Sequence, residues 1–169
     1  MNIILCGMPG CGKSYLGKMV ASELKQVFVD TDELIMSEYS SRQDTRLTCR
    51  EISLKEGEPY FRRLEHQVIL GLKDIQNSVI AIGGGALCTP ENIPILKELG
   101  WMIYLKESPE VLLTRLMRKD PLPSYVDPND IEGSFNRLLN QRLPLYEQHC
   151  HTSVDMDSED IFEVLNLKI

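Results

Sequence analysis

The chain has 169 residues, of which 43% are hydrophobic and 25% are charged, and its formal net charge is -7. A chain of this length is expected to form one domain whose core is large enough to need no stabilising disulfide or metal. The acidic balance argues against a protein whose main partner is nucleic acid or an anionic membrane. Any anionic ligand must therefore be held by local positive groups.

The five cysteines are odd in number and have no paired spacing, so we expect reduced thiols. The segment His149-Cys150-His151 has metal-binding residue types but no second ligand group at a known spacing, and we interpret it as the end of a helix. We recognise no leader segment, and no apolar run approaches the length that spans a membrane. We therefore expect a cytoplasmic monomer that binds neither nucleic acid nor a membrane.

The strongest motif is Gly7-Met8-Pro9-Gly10-Cys11-Gly12-Lys13-Ser14, which matches the pattern G-x-x-x-x-G-K-[ST] of phosphate-binding loops. An apolar run over residues 2–6 precedes it and a helical pattern over residues 15–24 follows it. The glycines let successive N–H groups point at phosphate oxygens. Lys13 then places a positive charge near the β and γ phosphates, and Ser14 offers a hydroxyl to Mg²⁺. The alternative is a strand-to-helix turn that binds no ligand, but it does not explain why the glycines, the lysine and the serine occur together at this place.

A second candidate site follows the predicted strand 26–29, where the chain reads Asp30-Thr31-Asp32. Residues two apart in an extended segment point the same way, so both carboxylates are expected to face one cleft at the carboxyl end of a strand. There they can hold Mg²⁺ through water, accept hydrogen bonds from a substrate hydroxyl, or provide a general base. The alternative is that Asp32 is the N-cap of a helix over residues 33–39.

Arg62 and Glu65 lie in a predicted helix over residues 59–70, which follows a short helix over residues 49–57. Because they are three residues apart they share a face of the helix, and a local ion pair is the simpler interpretation. The functional alternative is that Glu65 steadies the Arg62 guanidinium for a bidentate contact with a substrate carboxylate. Spacing alone favours the ion pair.

Strands and helices alternate along the rest of the chain. Gly83-Gly84-Gly85 follows a predicted strand over residues 78–82 and indicates a loop that a ligand approaches closely. Residues 120–128 contain three prolines, which favours a lid over a nucleotide. The alternation predicts a three-layer α/β/α doubly wound fold with five parallel strands. The other predicted elements are helices over residues 90–99, 109–119, 129–148 and 158–167 and strands over residues 101–105 and 151–156.

Five segments together closely resemble the motifs of the shikimate kinases, in the same order and at similar spacing, over nearly the whole chain. Each later motif is weak alone, but the combination with the phosphate loop is specific and favours the functional interpretation of Arg62. The segments are the phosphate loop, Asp30-Thr31-Asp32, Phe61-Arg62-Arg63-Leu64-Glu65, Gly83-Gly84-Gly85 and Gln141-Arg142-Leu143-Pro144-Leu145-Tyr146.

The resemblance implies the nucleoside-monophosphate-kinase branch of P-loop proteins, with the sheet order 2-3-1-4-5. It implies one kinase domain over residues 1–169, with a shikimate-binding region over about residues 32–62 and a lid over about residues 117–129. The implied reaction transfers the γ-phosphoryl group of ATP to the 3-hydroxyl of shikimate with Mg²⁺, in the pathway to chorismate and the aromatic amino acids.

The resemblance also implies roles for the substrate-binding and catalytic residues. Asp32 is expected to hydrogen-bond the shikimate hydroxyls and to help remove the proton of the acceptor hydroxyl. Lys13 is the second expected catalytic residue. Arg62 and Arg142 are expected to clamp the carboxylate, and Gly84 to offer its backbone N–H.

For the nucleotide and the metal, the resemblance implies a set that surrounds the phosphate loop. Ser14 and Asp30 are expected to hold Mg²⁺, and Arg115 is expected to flank the adenine. Glu65 is expected to support Arg62 without contacting the substrate itself. The expected nucleotide contacts are Gly10, Cys11, Gly12, Lys13, Ser14, Tyr15 and Arg115.

The lid departs from the family's pattern at one position. The family normally carries Arg-Pro-Leu-Leu, with the arginine over the phosphates, whereas the corresponding segment here is Leu122-Pro123-Ser124-Tyr125. Arg118 or Lys119 is a candidate replacement for the missing cation, and the alternative is that the lid closes differently. Two other functions stay open, namely a P-loop kinase for another small acid, alcohol or nucleotide, such as gluconate, and a nucleotide-binding regulator without catalysis.

Overall fold

The structure is a computed structural model that describes residues 1–157 and 161–166, in which the chain forms five strands and eight α-helices. Positions 158 and 167, the ends of the last predicted helix, lie outside the described residues. The strands are β1 (Asn2–Cys6), β2 (Val27–Asp30), β3 (Ser78–Ala81), β4 (Gly100–Lys106) and β5 (Thr152–Asp155). The helices are α1 (Lys13–Glu23), α2 (Thr31–Gln43), α3 (Cys49–Glu56), α4 (Glu58–Gly71), α5 (Asn92–Leu99), α6 (Pro109–Met117), α7 (Ile131–His149) and α8 (Ile161–Asn166), with a short 3-10 helix at Ala86–Cys88.

All five strands run parallel in one sheet in the order β2-β3-β1-β4-β5, which confirms the predicted fold class and strand order. The central strand is β1, in which Ile4 pairs with Ile80 of β3 on one side and with Met102 of β4 on the other. These three side chains are fully buried. Helices cover both faces of a parallel sheet, so its central strands are apolar on both sides. The continuous apolar run that predicts β1 reflects this burial.

A second, smaller core lies apart from the main core of the sheet, between α2, α3 and α4. Its buried residues are Ile35, Tyr39, Ile52, Phe61 and Leu64. The Tyr39 hydroxyl within it donates a hydrogen bond to Glu56 Oε1 at 2.7 Å. The helices that carry Asp32 and Arg62 are therefore braced against one another as well as against the sheet.

Helix α2 begins immediately after β2, earlier than predicted. Asp30 is its N-cap, because its Oδ1 accepts a hydrogen bond from the Asp32 N–H at 3.0 Å. The interpretation of Asp32 as the N-cap is therefore wrong. The extended conformation predicted for residues 30–32 is wrong as well, since Thr31 and Asp32 already belong to the first helical turn.

Residues 118–130, between α6 and α7, form neither helix nor strand, which confirms the irregular segment predicted over residues 120–128 and extends it at both ends. Helix α7 begins at Ile131, two residues later than predicted, because the Asp130 side chain caps it by accepting from the Gly133 N–H at 3.0 Å. The other end of α7 lies at His149, which confirms the interpretation of the His149-Cys150-His151 segment as a helix end. None of the described helices is long and apolar enough to cross a membrane.

Candidate active site

A cavity of about 680 Å³ opens at the carboxyl ends of the strands, where doubly wound sheets bind their ligands. Segments far apart in the chain form its wall, including the phosphate loop, the first turn of α2, α3, α4, the glycine loop, the lid and α7. Of the predicted site residues, Cys11, Asp30 and Arg115 lie outside this wall. The predicted residues within it are Gly10, Gly12, Lys13, Ser14, Tyr15, Asp32, Arg62, Gly84 and Arg142.

The backbone of the phosphate loop has a geometry that favours glycine. Gly7, Gly10 and Gly12 have φ angles of 143°, 91° and 93°. The ammonium of Lys13, the first residue of α1, donates hydrogen bonds to the carbonyl oxygens of Gly7 at 2.9 Å and Met8 at 3.0 Å. The loop therefore wraps around a positive charge at a helix N-terminus, which is a favourable site for phosphate.

Ser14 and Asp30 lie beside the loop in an arrangement that suits Mg²⁺. The Ser14 hydroxyl donates to Asp30 Oδ2 at 2.6 Å. Among the residues that the structure describes, no group of three or more His, Cys, Asp or Glu side chains is placed to hold a metal. Mg²⁺ commonly takes one or two protein carboxylates and completes its shell with water and substrate phosphates. A hydroxyl and a carboxylate beside a phosphate site therefore fit this ion.

Asp32 opens onto the cavity from the first turn of α2. The backbone of Gly83 passes close by, since a Cβ at Gly83 would lie 3.0 Å from Asp32 Oδ1. Desolvation by the cavity walls raises the pKa of Asp32, and the neighbouring Asp30 charge raises it further, although nearby cations oppose the shift. A carboxylate whose pKa is raised accepts a proton more readily, which is the property that a general base needs.

Arg62 forms the local ion pair that its spacing favours. Its Nη1 donates to Glu65 Oε2 at 2.6 Å and its Nε donates to Glu58 Oε1 at 2.7 Å. Glu65 is only 1% exposed, whereas the Arg62 side chain is 22% exposed and lines the cavity. The two carboxylates therefore fix the guanidinium at the cavity wall, so the ion pair and a ligand contact are compatible.

Arg142 reaches the cavity from α7 and is only 5% exposed. Its Nε has no hydrogen-bond partner, and no carboxylate lies within ion-pair distance of its guanidinium, in the part of the chain that the structure describes. Its guanidinium carbon lies 5.4 Å from the centre of the Tyr125 ring. A buried cation without a counter-ion is costly unless a ligand supplies the negative charge. The arrangement therefore indicates an anionic ligand.

Gly84 is held closely between the phosphate loop and α7. The Tyr146 hydroxyl donates to its carbonyl oxygen at 2.5 Å. A Cβ at Gly84 would lie 2.8 Å from Pro9 Cδ and 3.2 Å from Arg142 Nη1. The position therefore leaves no room for a side chain between the phosphate loop and the arginine.

We expect Gly84→Ala to raise the KM for the acceptor substrate about 10-fold, because relieving such a contact costs about 1–3 kcal/mol and displaces Arg142. Steady-state kinetics with each substrate varied in turn measures the effect. Gly71→Ala is the matched control, since a Cβ at Gly71 meets no atom within 4 Å. An unchanged KM in Gly84→Ala would contradict the close packing described here.

The remaining predicted nucleotide contacts lie around the loop. Arg115 is on its outer side, where Nη1 donates to the Gly10 carbonyl oxygen at 2.7 Å and forms an ion pair with Glu107 at 2.8 Å. Tyr15 is 73% exposed at the start of α1, where it borders the cavity. Cys11 is 1% exposed and lies outside the cavity wall, so its thiol is not accessible to a ligand in the cavity.

Several residues of the cavity wall have no role in the sequence predictions, among them Arg50, Glu58 and Tyr125. Glu58 has a weak signal in the sequence, because it lies four residues before Arg62 on one helix. Arg50 and Tyr125 have none, since their partners belong to other elements of the fold.

Comparisons with known proteins identify the family of the chain. A sequence model of the shikimate kinase family matches residues 9–167. A shikimate kinase of Caldanaerobacter subterraneus subsp. tengcongensis is 38% identical over 165 residues, which cover 96% of this chain and 91% of that protein. A shikimate kinase of Legionella pneumophila is 37% identical, with 98% and 90% covered. A solved structure of the Acinetobacter baumannii shikimate kinase in complex with shikimate has a TM-score of 0.84 and 31% identity, with 99% of this chain and 89% of that chain covered. The chain therefore belongs to the shikimate kinase family, whose members are ATP-dependent kinases that act on an alcohol group.

Proposed function

We propose that this chain transfers the γ-phosphoryl group of ATP to the 3-hydroxyl of shikimate, giving ADP and shikimate 3-phosphate on the way to chorismate and the aromatic amino acids. The observation that carries the proposal is that Arg62, Arg142 and Asp32 meet the phosphate loop in one cavity. The arginines suit a carboxylate, Asp32 suits a hydroxyl, and the loop suits a triphosphate.

The shikimate carboxylate would lie between Arg62 and Arg142, with the Gly84 N–H as a further donor. Glu58 and Glu65 orient one guanidinium, and burial in α7 orients the other. A hydrogen bond to a charged group contributes about 1.5–3 kcal/mol. Two such arginines explain how a chain with a net charge of -7 binds an anion.

Asp32 is the group that would accept the proton of the attacking hydroxyl, and Lys13 is the cation that would stabilise the charge of the transferred phosphoryl group. Ser14 and Asp30 would hold Mg²⁺, which would further neutralise the phosphate charge. Phosphoryl transfer needs mainly positioning and charge neutralisation, with little covalent chemistry by the protein. The residues of this cavity provide both.

The nucleotide phosphates would follow the backbone of residues 10–15, and Arg115 would lie toward the adenine. The whole chain would be one kinase domain, in which about residues 32–62 bind shikimate and about residues 117–129 form the lid. The second core supports this division, because it joins α2, α3 and α4 on the shikimate side. We further propose a cytoplasmic monomer that binds only small molecules.

Steady-state release of ADP from Mg-ATP tests the proposed reaction, with shikimate compared against gluconate and nucleoside monophosphates. We expect release to depend on shikimate and the product to be shikimate 3-phosphate by mass spectrometry. The methyl ester of shikimate is the matched control ligand, since it keeps the hydroxyls and removes the carboxylate charge. Release without shikimate dependence, or equal use of the ester, would contradict the proposal.

A further inference from the structure

The lid segment after α6 crosses to the shikimate side of the cavity and is attached there. Arg50 Nε, in α3, donates a hydrogen bond to the Leu122 carbonyl oxygen at 2.6 Å. The Leu122 side chain is partly buried against the main core and is not part of the cavity wall. At the position where the family carries an arginine, the backbone carbonyl of this chain therefore accepts a hydrogen bond from a cation of α3.

Arg50 is well placed to fix the lid, because hydrogen bonds cap the start of its helix. Thr48 and Glu51 form a capping box, in which the Thr48 N–H donates to Glu51 Oε2 at 2.8 Å and the Glu51 N–H donates to Thr48 Oγ1 at 3.3 Å. Arg50 lies within this first turn. Its Nη1 and Nη2 have no hydrogen-bond partner among the described residues, so they stay available at the cavity wall.

Of the two candidate lid cations, only Lys119 borders the cavity. The Lys119 N–H donates to the Leu116 carbonyl oxygen at 3.0 Å, which ties its backbone to the last turn of α6. Its side chain shares the cavity wall with Lys13 and Asp32. Arg118 is exposed and is not part of that wall.

Neither Arg50 nor Lys119 forms an ion pair with a carboxylate of the cavity wall. The acidic residues of the wall are Asp32, Glu58 and Glu65, and both glutamates pair with Arg62. No carboxylate lies within ion-pair distance of Arg50 or Lys119 in the described ranges. Two such cations on the wall of a cavity that also contains the phosphate loop favour an anionic ligand.

We propose that Lys119 is the lid cation that contacts the transferred phosphoryl group in this chain. Arg50 is then a positioning residue, whose hydrogen bond to the Leu122 carbonyl holds the lid in a position from which Lys119 reaches the phosphoryl group. This inference rests on the proposed function. The cation is supplied by the start of the lid, three residues before Leu122, rather than by the position that the family uses.

Kinetics of Lys119→Gln, with Arg118→Gln as the matched control, tests the cation. We expect kcat to fall about 100-fold or more in Lys119→Gln. This is less than the factor of about 10³–10⁵ in kcat that an arginine finger contributes, because lysine makes a weaker, single-point contact. Lys119→Arg is expected to recover most of the loss, and Arg118→Gln to stay near wild type. Similar kcat values for Lys119→Gln and Arg118→Gln in an enzyme that phosphorylates shikimate would overturn the inference.

Binding of Mg²⁺, ADP and aluminium fluoride, a mimic of the phosphoryl group in transfer, tests the same contact without turnover. We expect Lys119→Gln to weaken the fluoride complex about 10-fold or more while binding of ADP alone is unchanged. Equal binding of the fluoride complex by both proteins would overturn the inference. A wild-type protein that binds the complex but does not phosphorylate shikimate would instead contradict the proposed function alone.

A double-variant cycle tests whether Arg50 acts through Lys119. Arg50→Met is expected to lower kcat about 10-fold with a small change in the KM for shikimate, since the lid loses one charged hydrogen bond. If Arg50 acts through Lys119, Arg50→Met combined with Lys119→Gln is about as slow as Lys119→Gln alone. Losses that multiply would show an independent role and overturn the assignment of Arg50. Thermal melting of each variant verifies that it is folded.

Discussion

Replacing Asp32 by asparagine is expected to lower kcat with shikimate by about 10²–10⁴, the range that a general base contributes. Asparagine keeps the size of the side chain and its ability to accept one hydrogen bond, but it cannot accept a proton. The structure places Asp32 on the cavity wall with the phosphate loop, so the loss falls on the chemical step. Steady-state kinetics with saturating Mg-ATP measures it.

Glu33→Gln is the matched control for Asp32→Asn, because Glu33 lies in the same helical turn and is exposed outside the cavity wall. A variant Asp32→Asn with more than about a tenth of the wild-type kcat would contradict the role of a base. The pH dependence gives a second measurement. The cavity raises the pKa of Asp32, so wild-type kcat/KM should fall as the pH decreases through that raised pKa, and this limb should be absent from Asp32→Asn.

Replacing Arg62 by methionine is expected to have two effects that can be separated. Shikimate affinity should fall about 10- to 150-fold, since one charged hydrogen bond is lost. The free energy of unfolding should also fall by about 3 kcal/mol, the lower end of what breaking a buried ion pair costs, because Glu65 is 1% exposed and loses its partner. Titration calorimetry with shikimate and denaturant unfolding measure the two effects, and ATP affinity should stay near wild type.

Adding Glu65→Gln to Arg62→Met distinguishes the two effects. The double variant is expected to regain most of the lost stability, because no carboxylate is left buried without a partner, but to regain none of the shikimate affinity. Recovery of affinity would mean that Arg62 supports the fold and does not contact the substrate. The carboxylate clamp would then be wrong.

Glu65 determines how the stability of Arg62→Met depends on pH. Burial raises the pKa of Glu65 and Arg62 opposes the shift, so loss of Arg62 raises the pKa further. The folded variant then holds a proton that the unfolded chain releases, and its stability falls as the pH rises from the ordinary range of glutamate through the raised pKa. The stability deficit of Arg62→Met should therefore be smaller in mild acid than at neutral pH, and this dependence should vanish when Glu65→Gln is added.

Residue spacing predicts the ion pair of Arg62 but does not predict its place at the cavity. Three residues on a helix place Arg62 and Glu65 on one face whether or not a ligand is present, so the pattern alone favours the ion pair. The structure contains that ion pair, and it also contains a second carboxylate on Arg62, from Glu58, and an exposed edge of the guanidinium at the cavity. The two interpretations describe one arrangement, which only the position of α4 beside the phosphate loop reveals.

The pair Asp30 and Asp32 shows the opposite case, in which the predicted end of the strand is right and the predicted shared orientation is not. Both residues lie at the carboxyl end of β2, but a helix begins between them, and only Asp32 borders the cavity. Asp30 caps that helix and also accepts from Ser14. A pattern of period two assumes that the strand continues, whereas the hydrogen bond from the Asp32 N–H to Asp30 ends the strand and makes Asp30 the cap.

The sequence by itself determined the phosphate loop, the parallel sheet and the family, because each of these depends on local patterns. Glycines at fixed spacing precede a lysine and a helical pattern, and apolar strands alternate with helices. The tertiary structure decided how the cavity is completed. Arg50 reaches Leu122 across 72 positions of the chain, Arg142 meets Tyr125 from another element, and Lys119 rather than Arg118 borders the cavity. Contacts of this kind join residues that no periodicity relates, since they depend on how helices pack against the sheet and against each other.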